Sequence, residues 1–444
     1  MTPTLEPLFE SLPEDWEYLA LGDVCARGGG DIQTGPFGSQ LHASDYVTDG
    51  IPSVMPQNIG ENRIIEIGIS RVSEKDAQRL ARYRIKKGDV VYSRRGDVER
   101  RALVRDKEDG WLCGTGCLRV RFGEGVIDPL FASHYFGHKE VRKWIVRHAH
   151  GATMPNLNTS ILSALPVVLP PLHEQRAVAN ILSTLEDKIE ANRGQCSVLV
   201  DMAKVLFQSW FVDFGPVLAK AEGRQLSGLD TETAPLFPSG FKDSDLGEIP
   251  TGWSATTLTD IVTECTGKVG AGNGRVILSA VASGELKRSD EHFTKQVYSQ
   301  DTSKYKRVEQ WDYAYNPSRI NIGSIGMLEE PIVGAVSPVY TVLRPAQGYE
   351  WFLRFFLDLP QTREVINQFC SGSVRQSLSF KDFAAIPVVL PPREIAEAFA
   401  RRWQKLNALR QQLEAQSRQL AEVRDTLLPK LMSGELRVPE SLMT

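Results

Sequence analysis

The sequence predicts an α+β chain: two mixed α/β domains separated by two long helices that form an antiparallel coiled coil, with a pseudo-two-fold repeat along the chain. Three observations carry this. Leu165-Pro166-Val167-Val168-Leu169-Pro170-Pro171 returns as Ile386-Pro387-Val388-Val389-Leu390-Pro391-Pro392. Both copies are followed by a long helical pattern with a narrow apolar seam. The starts also agree, Leu12-Pro13-Glu14-Asp15-Trp16 against Ile249-Pro250-Thr251-Gly252-Trp253. Such internal repetition is the mark of a duplicated architecture, and a two-part chain suits a two-part target.

In the first half, 32–53 reads as a Gly-rich loop region around Gly35-Pro36-Phe37-Gly38-Ser39. Residues 89–93 and 118–122 alternate as strands, and 130–147 reads as one amphipathic helix. After Pro171 the apolar positions Leu182, Leu185, Ile189, Leu199, Leu206 and Trp210, with Asn192, Cys196 and Ala203 between them, fall at alternating steps of three and four. That is a coiled-coil seam, on a helix on the order of 60 Å long. Gly215-Pro216 is expected to stop it, and 221–247, rich in Gly, Pro, Ser and acid, reads as a linker. In the second half, 310–315 and 339–343 are strand patterns and a helix is expected around 350–369. Phe399, Leu406, Leu413, Leu420 and Leu427 then recur every seventh residue, with Leu409 and Val423 between them, and Pro429 and Gly434 are expected to end the helix. Asn192 and Gln416 occupy seam positions where a polar pair can fix register or simply be tolerated at the partly wet end of a coil.

The 444 residues exceed one ordinary core. An apolar content of 42% and a charged content of 24% are those of a soluble globular protein. No apolar run is long enough to span a bilayer, and the N-terminus lacks a signal-peptide pattern. Six scattered cysteines point to reduced thiols in a cytoplasm. A net charge of −4 argues against a non-specific nucleic-acid binder, but leaves room for a local basic face.

The motifs, taken in order, resemble those of the specificity subunits of type I restriction-modification enzymes, over essentially the whole length. They are Met154-Pro155-Asn156-Leu157-Asn158, the 165–171 run, Pro171-Leu172-His173-Glu174-Gln175, Phe207-Gln208-Ser209-Trp210-Phe211-Val212-Asp213-Phe214, Leu236-Phe237-Pro238-Ser239, and 427–436. The second copy departs at Pro391-Pro392-Arg393-Glu394-Ile395, which lacks the Glu-Gln of the first. The resemblance implies target-recognition domains at 1–172 and 249–392, long helices at 173–214 and 393–436, a linker at 215–248 and a tail at 437–444. Each recognition domain would read one half of a split site in double-stranded DNA. The helices would space the domains and dock two methyltransferase subunits, with motor-nuclease subunits joining for cleavage. S-adenosylmethionine, ATP and Mg would be held by those partners. This chain would hold no cofactor and catalyse nothing.

On the residues themselves, Arg79, Arg82, Arg84, Lys86, Lys87, Arg94, Arg95, Arg100 and Arg101 crowd one stretch, with Tyr83 and Tyr92 interleaved. Phosphate neutralisation needs local positive charge, and Arg forks can read guanine edges. Asp89, Asp97 and Glu99 intervene, so the stretch also reads as a solvated, ion-paired surface. Arg142, Lys143, Arg147, His148 and His150 form a second basic run. In the second half, Lys295, Lys304, Lys306 and Arg307 precede Asn316, Arg319 and Asn321 on a Pro- and Gly-bounded loop. Asn suits adenine and Arg guanine, while the bland reading is a loop of Asx turns. For the helices, Leu182, Leu185, Ile189, Leu199, Leu206, Trp210, Phe211, Phe399, Leu406, Leu413, Leu420 and Leu427 form the seam. The aromatic group 207–214 is richer than a coil end requires and is expected as an exposed docking patch.

Other chemistry is weaker. Asn316-Pro317-Ser318-Arg319 shares its first two residues with the Asn-Pro-Pro-aromatic motif of amino-methyltransferases, but lacks the aromatic. Gly270, Gly272 and Gly274 lack the spacing of a cofactor loop. Cys113 and Cys117 with His134 and His138 offer a loose half of a zinc pattern. Glu285-Leu286-Lys287 lacks the rest of a nuclease motif, and no phosphate-binding Gly-x-x-x-x-Gly-Lys-Ser/Thr occurs. The rivals to a DNA-reading subunit are therefore a protein-gripping adaptor and an enzyme with degenerate motifs.

Overall fold

The computed structural model describes residues 8–9, 11–151, 155–224, 228–270, 276–281, 283–292, 302–370, 377–439 and 441. Met154, Gly272, Gly274, Lys295 and Gln376 lie outside them. The chain divides into two compact units, Met1–Arg193 with Glu414–Thr444, and Gly194–Leu413. The helices Leu172–Phe211 and Arg393–Ser433, of 40 and 41 residues, contribute to both. Among the described residues no helix is long and apolar enough to cross a membrane.

In unit 1, Glu17–Ala20 pairs antiparallel with Pro166–Leu169, so the first copy of the repeated motif is a strand. An antiparallel sheet has the order Gly29–Thr34, Cys117–Gly123, Val90–Ser93, Arg101–Leu103. A second sheet joins Tyr46–Val47, Ser70–Val72, Ile51–Val54 and Leu112–Cys113, the last two parallel. Unit 2 repeats this plan. Ser254–Thr257 pairs with Pro387–Leu390. One sheet runs Val262–Glu264, Thr341–Pro345, Tyr313–Tyr315, Ile325–Met327. The other runs Leu286–Arg288, Val276–Ala280, Gly334–Val336, Lys306–Val308, again with one parallel pair. The duplication read from short motifs is thus present in the strand order of the antiparallel sheets, while the mixed sheets differ in where the parallel pair sits, at the edge in unit 1 and in the middle in unit 2.

Two expected single helices are each broken in two. Pro129–Tyr135 and Lys139–His148 meet at Gly137, where a Cβ would collide with the Arg101 guanidinium, and His138 caps the second. Glu350–Phe356 and Pro360–Cys370 part at the proline, which cannot continue a helix. The first long helix ends at Phe211. Phe214 turns the corner in the left-handed region (φ 51°), and Gly215-Pro216 opens the helix Gly215–Ala221 rather than stopping the previous one. The stretch read as linker is ordered where described. It holds that helix and the hairpin Phe241–Ser244/Gly247–Pro250, with Val217 and Phe237 buried. Pro429 lies inside the second long helix, which ends at Ser433 before Gly434 (φ 74°).

The helices run antiparallel within each unit. In unit 1, Asn192 Nδ2 donates to Gln416 Oε1 at 2.9 Å and Arg424 lies 4.0 Å from Glu186. In unit 2, Cys196 Sγ lies 3.6 Å from the Arg410 carbonyl oxygen and Phe207 packs edge-on against Phe399 at 5.3 Å. On the first helix Leu182, Ile189, Leu199 and Trp210 are buried, and Leu185 and Leu206 half-buried. On the second, Leu409 and Val423 are 46% and 48% exposed and leave the seam. The alternating three-and-four line there is Phe399, Trp403, Leu406, Arg410, Leu413, Ser417, Leu420, Arg424, Leu427 and Leu431. Its intermediate positions are partly polar, which hides them from a search for apolar periodicity.

The helix start Glu174-Gln175 acquires a physical role. Glu174 is buried, receives both Nε and Nη2 of Arg437 (2.6 and 2.8 Å), and accepts from Trp16 Nε1 at 3.2 Å. Arg437 also forks onto Asp15 at 2.9 and 3.0 Å, and these hydrogen bonds, Asp15 first, raise its pKa. In unit 2 the matching positions are Ile395 and Ala396, both fully buried in apolar surroundings, and Trp253 Nε1 has no partner among the described residues. The divergent motif therefore swaps a charged tie for apolar packing. Arg437→Ala is expected to cost about 2–3 kcal/mol in a urea unfolding curve, because a buried carboxylate loses its charge-assisted bonds. An unchanged midpoint would show that water replaces the guanidinium without penalty.

Candidate nucleic-acid interface

Equivalent hairpins carry part of the candidate set in each unit, Arg94, Arg95, Arg100 and Arg101 in the first and Asn316, Arg319 and Asn321 in the second. In unit 1 the strand Val90–Ser93 leads through 94–100 into Arg101–Leu103. In unit 2 Tyr313–Tyr315 leads through 316–324 into Ile325–Met327. Register aligns Tyr92 with Tyr315, since each follows two residues after the one (Val90, Tyr313) that pairs with Leu103 or Met327. Both hairpins are strapped from the segment preceding the repeated motif. Leu157 N donates to Arg94 O at 2.8 Å, and Leu378 N to Pro317 O at 2.9 Å. The structure thus places the two sets of candidates, found by different reasoning, at one topological position.

In unit 1 backbone bonds hold Arg94 and Arg95 in place: Arg94 N to Gly116 O at 2.8 Å, Gly96 N to Pro155 O at 3.1 Å, and Ser93 Oγ to Arg95 O at 3.0 Å. Their side chains find no carboxylate among the described residues. Beside them the loop after Gly29–Thr34 is pinned at Gly35, where a Cβ would collide with the Gly114 carbonyl oxygen. That loop presents Phe37, whose ring lies 5.6 Å from the Arg94 guanidinium. Gln40 ties in two more candidates. Its backbone oxygen accepts from Arg79 Nη1 at 2.8 Å, and its Oε1 from the Tyr83 hydroxyl at 2.8 Å. Arg82 stacks on Tyr83 at 4.5 Å and bonds its hydroxyl. Arg79, Arg82, Arg94 and Arg95 therefore surround one loop.

The remaining candidates of this stretch separate. Arg84 pairs with Glu74 at 2.8 Å and Lys87 with Asp106 at 2.7 Å, and they and Lys86 lie at the far end of strand Val90–Ser93. Arg100 pairs with Asp97 at 2.7 Å. Arg101 is a correction to the sequence reading. It is only 8% exposed, its Nε donates to Ser133 O at 3.0 Å, and it packs on Gly137, so it is part of the interior. Of the second basic run, Arg142 pairs with Glu99 at 2.6 Å and His148 stacks on Trp144 at 3.9 Å. His150 bridges Asn156 and so approaches the Arg95 hairpin, which bridges Asn156 as well.

In unit 2 Arg319, Asn321 and Ile322 are exposed on the hairpin, Ile322 at 72%. Arg319 has no carboxylate partner among the described residues. Asn316 makes the Asx turn of the bland reading, its Oδ1 accepting from Ser318 N at 3.1 Å. Lys306 belongs to the other sheet and bridges Lys268, Lys304 lies in the turn before that strand, and Arg307 pairs with Glu309 at 2.7 Å.

The aromatic group expected as a docking patch is core. Phe207, Trp210 and Phe211 are at most 5% exposed and pack on Phe352, Phe355 and Phe399. The surface of the same helix in unit 2 instead exposes Val198, Met202 and Val205, one stripe at steps of four and three. Cys113 and Cys117 lie in an apolar cluster, and burial pushes the Cys113 thiol up to about 12. Burial, aided by Arg101, Arg105 and Arg424, pushes His134 down to about 3. Among the described residues no three His, Cys, Asp or Glu side chains gather to hold a metal ion.

Residues 13–199 match the family described as the type I restriction modification DNA specificity domain. The HindI type I specificity subunit of Haemophilus influenzae is 24% identical over 95% of this chain and 100% of its own length. The MjaIX type I specificity subunit of Methanocaldococcus jannaschii is 24% identical over 97% of this chain and 95% of its own. In fold, the S subunit of a type I restriction-modification system from M. genitalium superposes with a TM-score of 0.56 at 15% identity, covering 96% of this chain and 98% of that one. Residues 13–199 thus match a type I restriction modification DNA specificity domain, and nearly the whole chain is similar to type I restriction enzyme specificity subunits.

Proposed function

We propose that this chain reads a bipartite double-stranded DNA site, one half-site per unit, through the hairpin that ends the central strand of each larger antiparallel sheet. The observation that carries the reading is the coincidence of Arg94 and Arg95 with Arg319 and Asn321 on equivalent hairpins, the three arginines having no carboxylate partner among the described residues. Cations free of internal ion pairs are those available to phosphates and guanine edges. Arg82 extends the surface in unit 1, while Arg79, paired with Asp76 at 2.9 Å, borders it. Asn316 retains its Nδ2 for a base edge, and Lys304 and Lys306 supply backbone charge in unit 2. Arg84, Lys86, Lys87, Arg100 and Arg307 stand outside its centre because of their ion pairs or position.

In this reading the long helices space the half-sites and dock two methyltransferase subunits, and motor-nuclease subunits join the complex. S-adenosylmethionine, ATP and Mg belong to those partners, and the chain works in the cytoplasm without catalysis of its own. The stripe Val198, Met202 and Val205, with Leu409 exposed on the second helix, is the apolar surface suited to docking, in place of the buried aromatics.

Exchanging residues 12–164 for those of a relative is expected to change one half of the methylated motif and leave the other intact. Sequencing methylated adenines in cells carrying the hybrid measures this. A change in both halves would overturn the assignment of one half-site to each unit.

A further inference from the structure

Phe37 is the most exposed phenylalanine among the described residues, at 52%. Leaving a ring of this size in water forgoes the burial that the other large aromatics obtain. Its position is nevertheless built. Phe37 N donates to Gln40 Oε1 at 3.2 Å and Gln40 N returns to Phe37 O at 2.8 Å. Leu41 anchors the turn in a buried cluster with Tyr83. Space around the next residue is open, since a Cβ at Gly38 would meet nothing within 4 Å. A braced turn thus projects one ring outward, with the Arg94 guanidinium over its face and Arg95 on the neighbouring hairpin.

We infer that Phe37 is a wedge that inserts against a base step of the first half-site, with Arg94 and Arg95 engaging the adjacent phosphates. This rests on the reading of unit 1 as a DNA-binding unit. A rigid ring among unpaired cations matches what unstacking requires: an apolar face for the base and charge for the backbone on either side. The ring has few rotamers to lose, and the self-bonded turn fixes its direction before DNA arrives. Reading by deformability would add discrimination at a step that no side chain hydrogen-bonds. The equivalent hairpin of unit 2 exposes Ile322 beside Arg319, an apolar side chain among polar ones without a ring to stack.

The test uses the chain assembled with its methyltransferase subunits, on duplexes carrying the motif methylated in its host. 2-Aminopurine replaces each base of the half-site read by residues 12–164 in turn, the methylated adenines excepted. The wild-type complex should raise fluorescence at one step, Phe37→Ala should abolish that signal and weaken binding by about 5- to 150-fold, and Phe37→Trp should restore both. Wild-type affinity and an unchanged fluorescence profile in Phe37→Ala would overturn the wedge while leaving the DNA face intact. Loss of subunit assembly in Phe37→Ala without DNA would also overturn it, making the ring a protein contact. An Arg94→Glu/Arg95→Glu complex that bound DNA like wild type would instead remove the reading on which the wedge rests.

Discussion

Reversing both charges in Arg94→Glu/Arg95→Glu is expected to lower the affinity of the assembled complex for its DNA by about 100- to 1,000-fold at physiological salt, since two charge-assisted interactions become repulsions. The slope of log affinity against log salt should fall by about 0.9 for each phosphate that the variant no longer neutralises. Folding should survive, because the structural duties of these residues are carried by the backbone: Arg94 N and O bond Gly116 and Leu157, and Arg95 O accepts from Ser93. Two neighbours serve as controls. Arg100→Glu should have a smaller effect on binding, since its guanidinium already serves Asp97. Arg101→Glu should unfold unit 1, because a buried anion would replace a cation bonded to Ser133 O. Wild-type affinity and salt slope in a folded double variant would assign the hairpin to the solvated surface.

What the sequence disclosed depended on whether the signal was local. The first seam was legible because its contact positions are apolar apart from Asn192 and Cys196; Asn192 does bond Gln416, but Gln416 is exposed beside the seam position, which is Ser417. The second seam was half legible: leucines recur every seventh residue, but the positions between them are Arg410, Ser417 and Arg424, so Leu409 and Val423 pointed to the wrong face. Charge clustering pointed to the hairpin of unit 1, and the Asn- and Arg-bearing loop to that of unit 2, but clustering could not separate Arg94 from Arg101. Both lie on one hairpin, and only the packing of Ser133 and Gly137 decides which guanidinium is interior. The aromatics near Trp210 failed for a related reason. Composition reports that rings are concentrated, while the helix Glu350–Phe356 that covers them is far away in sequence. Phe37 was visible in Gly-Pro-Phe-Gly, yet its exposure follows from the pinning of Gly35 by Gly114, a contact between distant segments.

Lengthening both long helices by one heptad is expected to abolish methylation of the native motif and to create a motif whose spacer is longer by about three base pairs, the helices being proposed as the ruler between half-sites. The insertions go between Cys196 and Leu199 and at the facing turn of the second helix, located by the Cys196–Arg410 contact. Seven residues are two turns of a coiled coil, so each seam keeps its phase and the residues on either side keep their partners. Each helix gains about 10 Å, against roughly 3.4 Å per base pair of B-DNA. A heptad in one helix alone would slide Asn192 past Gln416 and should cost stability instead, which separates spacing from damage. Twist opposes the shift: three base pairs rotate one half-site by close to a third of a turn, so the new motif should be methylated less than the old one was. Adenine methylation mapped in cells carrying the paired insertion is the measurement. Full methylation on the original spacing would show that partner subunits, and not these helices, fix the distance between half-sites.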